Sequence, residues 1–162
     1  MSVAHPESVA LQKRFDAFPL ATHDTGETVL AAGSKTGRLL ILRKGAVAVT
    51  REGIEIARVA EPGAVFGEMS ALLDQPHSAV VRAVEPSQFH VAHATALQDP
   101  VALYYVAAVL ARRLDGANEA LVELKDQIRV GRPRKVIDET VEKIEGLLTI
   151  SATKSYLRRV PI

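Results

Sequence analysis

The sequence predicts a mainly β domain with helices: a small β-barrel or jelly roll, bracketed by helices, with a long helix at its C-terminal end. From residue 28 to about residue 90, short apolar runs alternate with turns that contain glycine, a pattern typical of short antiparallel strands. After Pro100 the apolar residues change to a helical spacing. A chain of 162 residues, of which 48% are hydrophobic, is long enough to bury a core without crosslinks.

The composition excludes several classes of site and partner. The chain has no cysteine, which excludes disulfides, iron–sulfur clusters, cysteine zinc sites and thiol nucleophiles. Lysine and arginine number 20 against 19 acidic residues, and a net charge of +1 gives no overall basic field for nucleic acid. Residues 1–15 do not have the apolar region of a secretory signal, and no apolar run approaches a membrane span. We therefore expect a cytoplasmic protein that does not contact a membrane.

The elements before residue 90 are a short helix followed by strands. Ser8–Phe18 has the apolar spacing of an amphipathic helix, and Pro19 ends it. Arg51-Glu52-Gly53 predicts a hairpin turn between the second and third strands. Strands this short and closely spaced favour a small sandwich or barrel over a parallel sheet. Four segments have the alternation of strands: Leu39–Leu42, Ala46–Val49, Ile54–Val59 and Ala79–Val84.

One long helix is predicted from Pro100 to about residue 128, because Asp99-Pro100 supplies a start and Gly131 an end. One interpretation is a single helix lying on the barrel. The favoured interpretation is that its first half packs on the barrel and its second half pairs with the same helix of a second subunit, since a lone helix would leave an apolar edge in water. Its apolar residues recur in steps of four and three: Leu103, Ala107, Leu110, Leu114, Ala117, Leu121, Leu124 and Ile128. We therefore expect a homodimer, with Leu114, Leu121, Leu124 and Ile128 at the interface.

The chain is thus divided into a domain of residues 1–128, which includes the long helix of about residues 100–128, and a remainder of residues 129–162. That remainder is predicted to contain a basic linker, a short helix from about Ile137 to Leu148, and a tail that is loose or ordered by a partner. Residues 131–135, Gly-Arg-Pro-Arg-Lys, resemble the core of an AT-hook, but Val130 stands where such hooks carry an arginine. A solvated linker is the favoured interpretation, and DNA is an unlikely partner.

The segment from Phe66 to Ala83, called here the 66–83 segment, is the most informative part of the sequence. It reads as the end of a strand, a glycine, a helix of one to two turns, a loop and a new strand. Gly67 allows backbone to approach a ligand closely. The helix that starts at Glu68 has free N–H groups at its beginning, and Ser78 and Ala79 offer further N–H groups. Such a segment can bind a phosphate with few charges.

The 66–83 segment resembles the phosphate-binding cassette of cyclic nucleotide-binding domains. These domains occur in catabolite activator proteins, in regulatory subunits of cAMP-dependent protein kinase and in cyclic-nucleotide-gated channels. Leu39–Val49, Gly63–Glu68 and Ala111–Leu121 also resemble parts of that domain, and the resemblance covers roughly residues 10 to 128. It implies a sensor or regulatory module that binds cAMP or cGMP, with no catalysis and no cofactor of its own.

The resemblance also implies a ligand site. Glu68 lies where the family uses a carboxylate to accept the ribose 2′-hydroxyl, although a carboxylate there also suits a first helical turn. Backbone N–H groups of Gly67 and Ser70 lie where the family contacts ribose or phosphate, and Ser78 lies where a hydroxyl can reach a purine edge. The expected ligand-binding residues are Gly67, Glu68, Met69, Ser70, His77, Ser78 and Ala79.

One position departs from the family. His77 stands where the pattern has an arginine, which would bind two phosphate oxygens with a permanent charge. Histidine is mostly neutral at pH 7, and its substitution for arginine is expected to weaken binding by about tenfold to a few hundredfold. Arg82 is no substitute, because strand alternation places it on the opposite face from Val81 and Ala83. The sequence leaves open weak cyclic nucleotide binding, binding of another anion, or a degenerate pocket.

The remaining signals are weaker. His90 and His93 form an H-x-x-H pair in a predicted strand-to-helix connection, where surface histidines are favoured over a metal site. A winged helix-turn-helix, which catabolite-activator relatives carry, does not fit in residues 128–162. Two alternative functions remain: a dimeric interaction scaffold for an unknown protein partner, or a DNA-associated regulator acting through residues 129–135.

Overall fold

The fold is given by a computed structural model that describes residues 14–130. Residues 14–16 form a helical turn, the end of the helix predicted over 8–18. The predicted basic linker, short helix and tail lie outside the described residues, apart from Arg129 and Val130. The described elements are β1 (Leu20–His23), β2 (Thr28–Leu30), β3 (Arg38–Lys44), β4 (Val47–Arg51), β5 (Ile54–Val59), β6 (Val65–Phe66), α1 (Glu68–Leu73), β7 (Val80–Ala83), β8 (Ser87–His93), a 3-10 helix (Ala94–Gln98) and α2 (Pro100–Arg129).

The strands form two antiparallel sheets of four strands each. One sheet has the order β1-β8-β3-β6 and the other β2-β7-β4-β5. The predicted mainly β jelly roll with helices is confirmed, and within residues 14–130 no strand pairing joins the two sheets into a closed barrel. The four predicted strands correspond to β3, β4, β5 and β7.

The predicted hairpin turn is present between β4 and β5. Arg51 pairs with Ile54, and the two residues between them, Glu52 and Gly53, have φ angles of 52° and 82°. Positive φ at both central positions defines a type I′ turn, whose twist matches that of the flanking strands. The strands β1, β2, β6 and β8 were not individually predicted.

The β1-β8-β3-β6 sheet is buried on both faces. Leu40 and Leu42 of β3 pack into the core between the two sheets, together with Phe89. Leu39 and Ile41 of the same strand point to the other face and pack against α2. A strand buried on both faces is apolar at consecutive positions, which explains the run of apolar residues at 39–42.

Helix α2 lies on this sheet through Tyr105, Val106 and Val109, which are all buried. Its start is fixed by Asp99, whose side chain accepts a hydrogen bond of 3.0 Å from the backbone N–H of Val101. The predicted helix is confirmed. The expected packing is wrong in one respect: of the seam residues in this part of α2, Leu110 packs against the sheet-side core, but Leu103 is 40% exposed.

The two histidines of the H-x-x-H pair lie in strand β8 rather than in a connection after it. His90 is also buried instead of lying at the surface, with Nε2 3.5 Å from Oδ1 of Asp16. Strand alternation explains this, since Phe89 faces the inter-sheet core and His90 faces the helix side. Within residues 14–130, no group of three or more histidine and acidic side chains is placed to hold a metal ion.

No helix in the described part of the chain is long and apolar enough to span a membrane.

Gly45, in the turn between β3 and β4, offers a test of the packing. A Cβ at Gly45 would lie 2.4 Å from Oγ of Ser87, whereas one at Gly26 would meet nothing within 4 Å, and φ is positive at both. Gly45→Ala and Gly26→Ala therefore share a backbone strain of about 1–2 kcal/mol, and only Gly45→Ala adds an overlap of about 1–3 kcal/mol. Urea unfolding should show a larger decrease in the free energy of unfolding for Gly45→Ala than for Gly26→Ala. Equal decreases would contradict the close contact between Gly45 and Ser87.

Candidate ligand-binding site

A cavity of about 540 Å³ opens between strands β4, β5 and β7, helix α1 and helix α2. This volume lies within the range of small-molecule sites. The structure brings all seven expected ligand-binding residues into its wall: Gly67, Glu68, Met69, Ser70, His77, Ser78 and Ala79.

Gly67 is the residue on which the local shape of the site depends. It precedes α1 with φ 84° and ψ −2°, a left-handed conformation that favours glycine. A Cβ there would lie 2.4 Å from the carbonyl oxygen of Arg38 and 3.4 Å from Cε1 of His77. Any side chain would therefore push the start of α1 away from β3 and from the histidine.

Glu68 is buried at the start of α1 and forms an ion pair with an arginine from the long helix. Nη1 of Arg113 donates to Oε1 of Glu68 at 2.7 Å, and Nη2 donates to the carbonyl oxygen of Val65 at 3.0 Å. Burial raises the pKa of the Glu68 carboxyl, and Arg113 offsets part of that rise. Sequence analysis missed Arg113, because the two partners are 45 residues apart and only the packing of α2 joins them.

Ser70 and the end of α1 stabilise the loop that follows. The buried hydroxyl of Ser70 donates to the carbonyl oxygen of Gln75 at 2.5 Å. Asp74 ends the helix in a left-handed conformation, with φ 52°. Its carboxylate lies 2.5 Å from Nζ of Lys35, which also donates to the Asp74 carbonyl oxygen at 3.0 Å. The loop is thereby attached to the segment between β2 and β3.

His77 is buried, and its ring is already engaged. Nε2 lies 2.9 Å from Oγ1 of Thr36. The backbone N–H of His77 donates to the carbonyl oxygen of Ser34, and its carbonyl oxygen accepts from the N–H of Gly33, both at 2.8 Å. Burial lowers the pKa of the imidazole, so the ring is neutral at pH 7. The position where the family pattern has a permanent cation therefore holds a neutral donor.

The other arginines near the site differ in their placement. Arg82 is exposed on β7, donates to the carbonyl oxygen of Gly26 at 3.1 Å and does not line the cavity. The predicted placement of Arg82 on the face opposite Val81 and Ala83 is confirmed. Arg51, at the end of β4, does line the cavity and is exposed, and sequence analysis did not identify it.

The rest of the wall is apolar and comes from both sheet and helix. Ile56 and Val49 are on the strand side, and Leu110 and Leu114 project from α2. Leu114, expected at a dimer interface, is 63% exposed in the single chain. The part of α2 that contains Leu110 and Leu114 therefore borders the cavity and also belongs to the apolar seam.

This fold and cavity define a ligand-binding regulatory domain of known class. The family model described as the cyclic nucleotide-binding domain matches residues 21–103, just over half of the chain. The chain therefore belongs to the cyclic nucleotide-binding domain family.

The chain is also similar to several solved structures. The catabolite activator protein of Thermus thermophilus is 25% identical, with a TM-score of 0.60, over 88% of this chain and 81% of that chain. A structure of PKAR CBD2 bound to Sp-2Cl-cAMPS is 19% identical, with a TM-score of 0.56, over 85% of both chains, and supports the fold alone. The cGMP-bound EAL enzyme Bd1971 is 25% identical with a TM-score of 0.44, and the chain spans only 21% of that enzyme's length.

The ion pair between Glu68 and Arg113 predicts a stability change that depends on pH. Arg113→Met leaves Glu68 buried without its cation, which is expected to cost about 3–5 kcal/mol when the carboxyl is charged. A carboxyl whose folded pKa lies above its unfolded value of about 4.5 loses stability as the pH rises through the folded pKa. The decrease in the free energy of unfolding of Arg113→Met relative to the wild type, measured with guanidinium, should therefore be larger at pH 8 than at pH 5.

The double variant Glu68→Gln/Arg113→Met removes the uncompensated charge. Its loss of unfolding free energy should be smaller than that of Arg113→Met and should depend less on pH. A penalty for Arg113→Met that does not change with pH would contradict the assignment.

Proposed function

We propose that this chain is a non-catalytic regulatory module that binds a cyclic nucleotide, cAMP or cGMP, in the cavity beside α1. The observation that carries the proposal is the convergence of all seven expected residues on one cavity of about 540 Å³. Membership of the cyclic nucleotide-binding domain family supports it.

The ribose is expected at Glu68. A buried carboxylate is a strong acceptor for a hydroxyl donor. Oε1 of Glu68 accepts from Arg113, so the second oxygen is the one expected to accept from the ribose. The ion pair orients the carboxylate toward the cavity. A 2′-hydroxyl that bonds Glu68 therefore contacts α2 indirectly, through Arg113.

The phosphate is expected near His77, together with backbone N–H groups of Ser78 and Ala79. A neutral imidazole contributes one uncharged hydrogen bond, which is worth less than the paired, charged bonds of an arginine. We therefore expect an affinity lower than that of a domain with arginine at this position, by about tenfold to a few hundredfold.

We assign to helix α2 the conformational change that follows ligand binding. Leu110, Arg113 and Leu114 all line the cavity, so ligand touches the helix where it leaves the sheet. A ligand that contacts one position of α2 better than another shifts the population of helix positions. This makes the contact between cavity and helix the regulatory element.

We also propose that the chain is a homodimer through α2. Seam residues are exposed along the helix, with Leu114 at 63%, Leu121 at 47% and Ile128 at 62%, and Leu124 is half-buried. A second copy of the same seam would cover these residues in the manner of a coiled coil.

One observation favours a second candidate, a dimeric scaffold with a pocket that no longer binds nucleotide. Both polar groups expected to hold the ligand are occupied within the protein, Glu68 by Arg113 and His77 by Thr36. In that case the domain retains its fold and seam, and its partner is a protein.

Binding should depend on pH through His77. Bound phosphate favours the imidazolium and raises its pKa, whereas in the free protein burial holds it below 6.5. Proton uptake then accompanies binding, and affinity should increase as the pH falls from about 8 to about 6. Lys35 forms an ion pair with Asp74, and Arg113 forms one with Glu68. Calorimetric titration with cAMP and with cGMP measures the effect.

Matched variants decide between the two candidates. His77→Arg should strengthen binding at pH 7.5 by about tenfold or more. His77→Gln should bind without pH dependence, and Glu68→Ala should abolish binding. The scaffold candidate instead predicts no binding at either pH and no gain from His77→Arg. If His77→Arg and Glu68→Ala both leave the affinity unchanged, the ligand binds at a different site.

The dimer is tested by light scattering. Leu121→Asp/Leu124→Asp places charges in the seam and should give folded monomers, because a buried unpaired carboxylate is strongly unfavourable. Val122→Asp, at an exposed residue outside the seam, is the matched control and should remain dimeric. A wild type that is monomeric, or a double variant of unchanged mass, contradicts the proposal.

A further inference from the structure

The loop between β2 and β3, residues 31–37, is held against the 66–83 segment at His77. Two backbone hydrogen bonds, from Gly33 to the His77 carbonyl oxygen and from His77 to the Ser34 carbonyl oxygen, fix the main chain. The contact between Oγ1 of Thr36 and Nε2 of His77, at 2.9 Å, fixes the ring. Neither the sequence pattern nor the family resemblance assigns a role to Thr36.

The hydrogen bonds of Thr36 indicate which atom donates to which. The backbone N–H of Arg38 donates to Oγ1 at 3.3 Å, so the hydroxyl oxygen already acts as an acceptor. A hydroxyl has one hydrogen to donate, and within residues 14–130 the only acceptor placed for it is Nε2 of His77. When the hydroxyl donates this hydrogen to Nε2, Nε2 is the acceptor and the hydrogen of the neutral imidazole is on Nδ1.

The other ring nitrogen faces the site. His77 lines the cavity and Thr36 does not, so the Nε2 edge of the ring points away from the cavity. No residue in the described part of the chain bonds Nδ1 of His77, and this atom is not among the fully buried polar atoms. An N–H at Nδ1 is therefore free to donate to a ligand.

We propose that Thr36 is a positioning residue of the ligand site: its hydroxyl holds His77 as the Nδ1–H tautomer and so presents a hydrogen-bond donor to the phosphate. The identity of the ligand in this inference rests on the proposed function. The tautomer of His77 is a property of the free protein and does not depend on that function. The lowered pKa of His77 is consistent with it, because only a neutral ring has a tautomer to fix.

The tautomer is measured first, on the free protein at pH 7.5. Long-range proton–nitrogen NMR spectra of ¹⁵N-labelled protein distinguish a protonated Nδ1 from a protonated Nε2. The wild type and Thr36→Ser, which keeps the hydroxyl, should both show His77 as Nδ1–H. Thr36→Val, which has nearly the same shape without the hydroxyl, should lose this preference. Thr22→Val, on the exposed part of β1, makes the same chemical change away from the site and should match the wild type.

Calorimetry with cAMP and with cGMP then measures the consequence for binding. Thr36→Val should weaken binding by about three- to tenfold, the loss expected for one neutral hydrogen bond. Thr36→Ser should bind within about twofold of the wild type, since its hydroxyl is retained.

Three results have different meanings. A wild type with His77 as Nε2–H, or a Thr36→Val variant that keeps both the Nδ1–H signal and wild-type affinity, overturns the role of Thr36. Absence of nucleotide binding by the wild type overturns the proposed function, while the spectra of the free protein still decide whether Thr36 fixes the ring. An amide spectrum of Thr36→Val that matches the wild type outside residues near 36 and 77 establishes that the variant is folded.

Discussion

A carboxylate buried in protein is stable in its charged form only when a cation and hydrogen-bond donors lie beside it, and this constraint on Glu68 organises the structure around the site. Glu68 lies at the start of α1, buried, and Arg113 of α2 supplies the cation. Arg113 reaches it only because Tyr105, Val106 and Val109 seat the helix on the β1-β8-β3-β6 sheet. The second bond of Arg113, to the Val65 carbonyl oxygen, attaches the guanidinium to β6 as well. Strand, short helix and long helix therefore meet at one ion pair.

That ion pair lies in the wall of the cavity, where a ligand can reach it. Removing one partner of a buried ion pair costs several kcal/mol. Under the proposed function, a ligand hydroxyl that bonds the second oxygen of Glu68 contacts the same carboxylate that Arg113 binds. Coupling between ligand and helix then requires no further relay, because one residue, Arg113, belongs to both the helix and the cavity.

The second polar group of the site is held differently. His77 is kept by the loop of residues 31–37 through two backbone hydrogen bonds and the Thr36 hydroxyl. Burial favours the neutral ring in the free protein, and these hydrogen bonds fix the orientation of the ring before a ligand binds. Gly67 permits that arrangement, since a side chain there would collide with the Arg38 carbonyl oxygen and crowd the ring.

The sequence by itself determined the fold class, the four strands β3, β4, β5 and β7, the hairpin turn at Arg51-Glu52-Gly53 and the span of the long helix. These depend on local periodicity, on glycine and on proline, and such signals act within a few residues. It also identified the 66–83 segment and its seven residues, because that segment is continuous in the chain. Only the tertiary structure decided which face of α2 meets the sheet, since both Val106 and Leu103 are apolar and spacing alone does not distinguish them. It likewise decided that His90 is buried, that Glu68 is paired with Arg113 and that His77 is bonded to Thr36. These partners are 41 or 45 residues apart within the site, and contacts at that separation are fixed by how sheets and helices pack, not by the residues that lie next to each other in the chain.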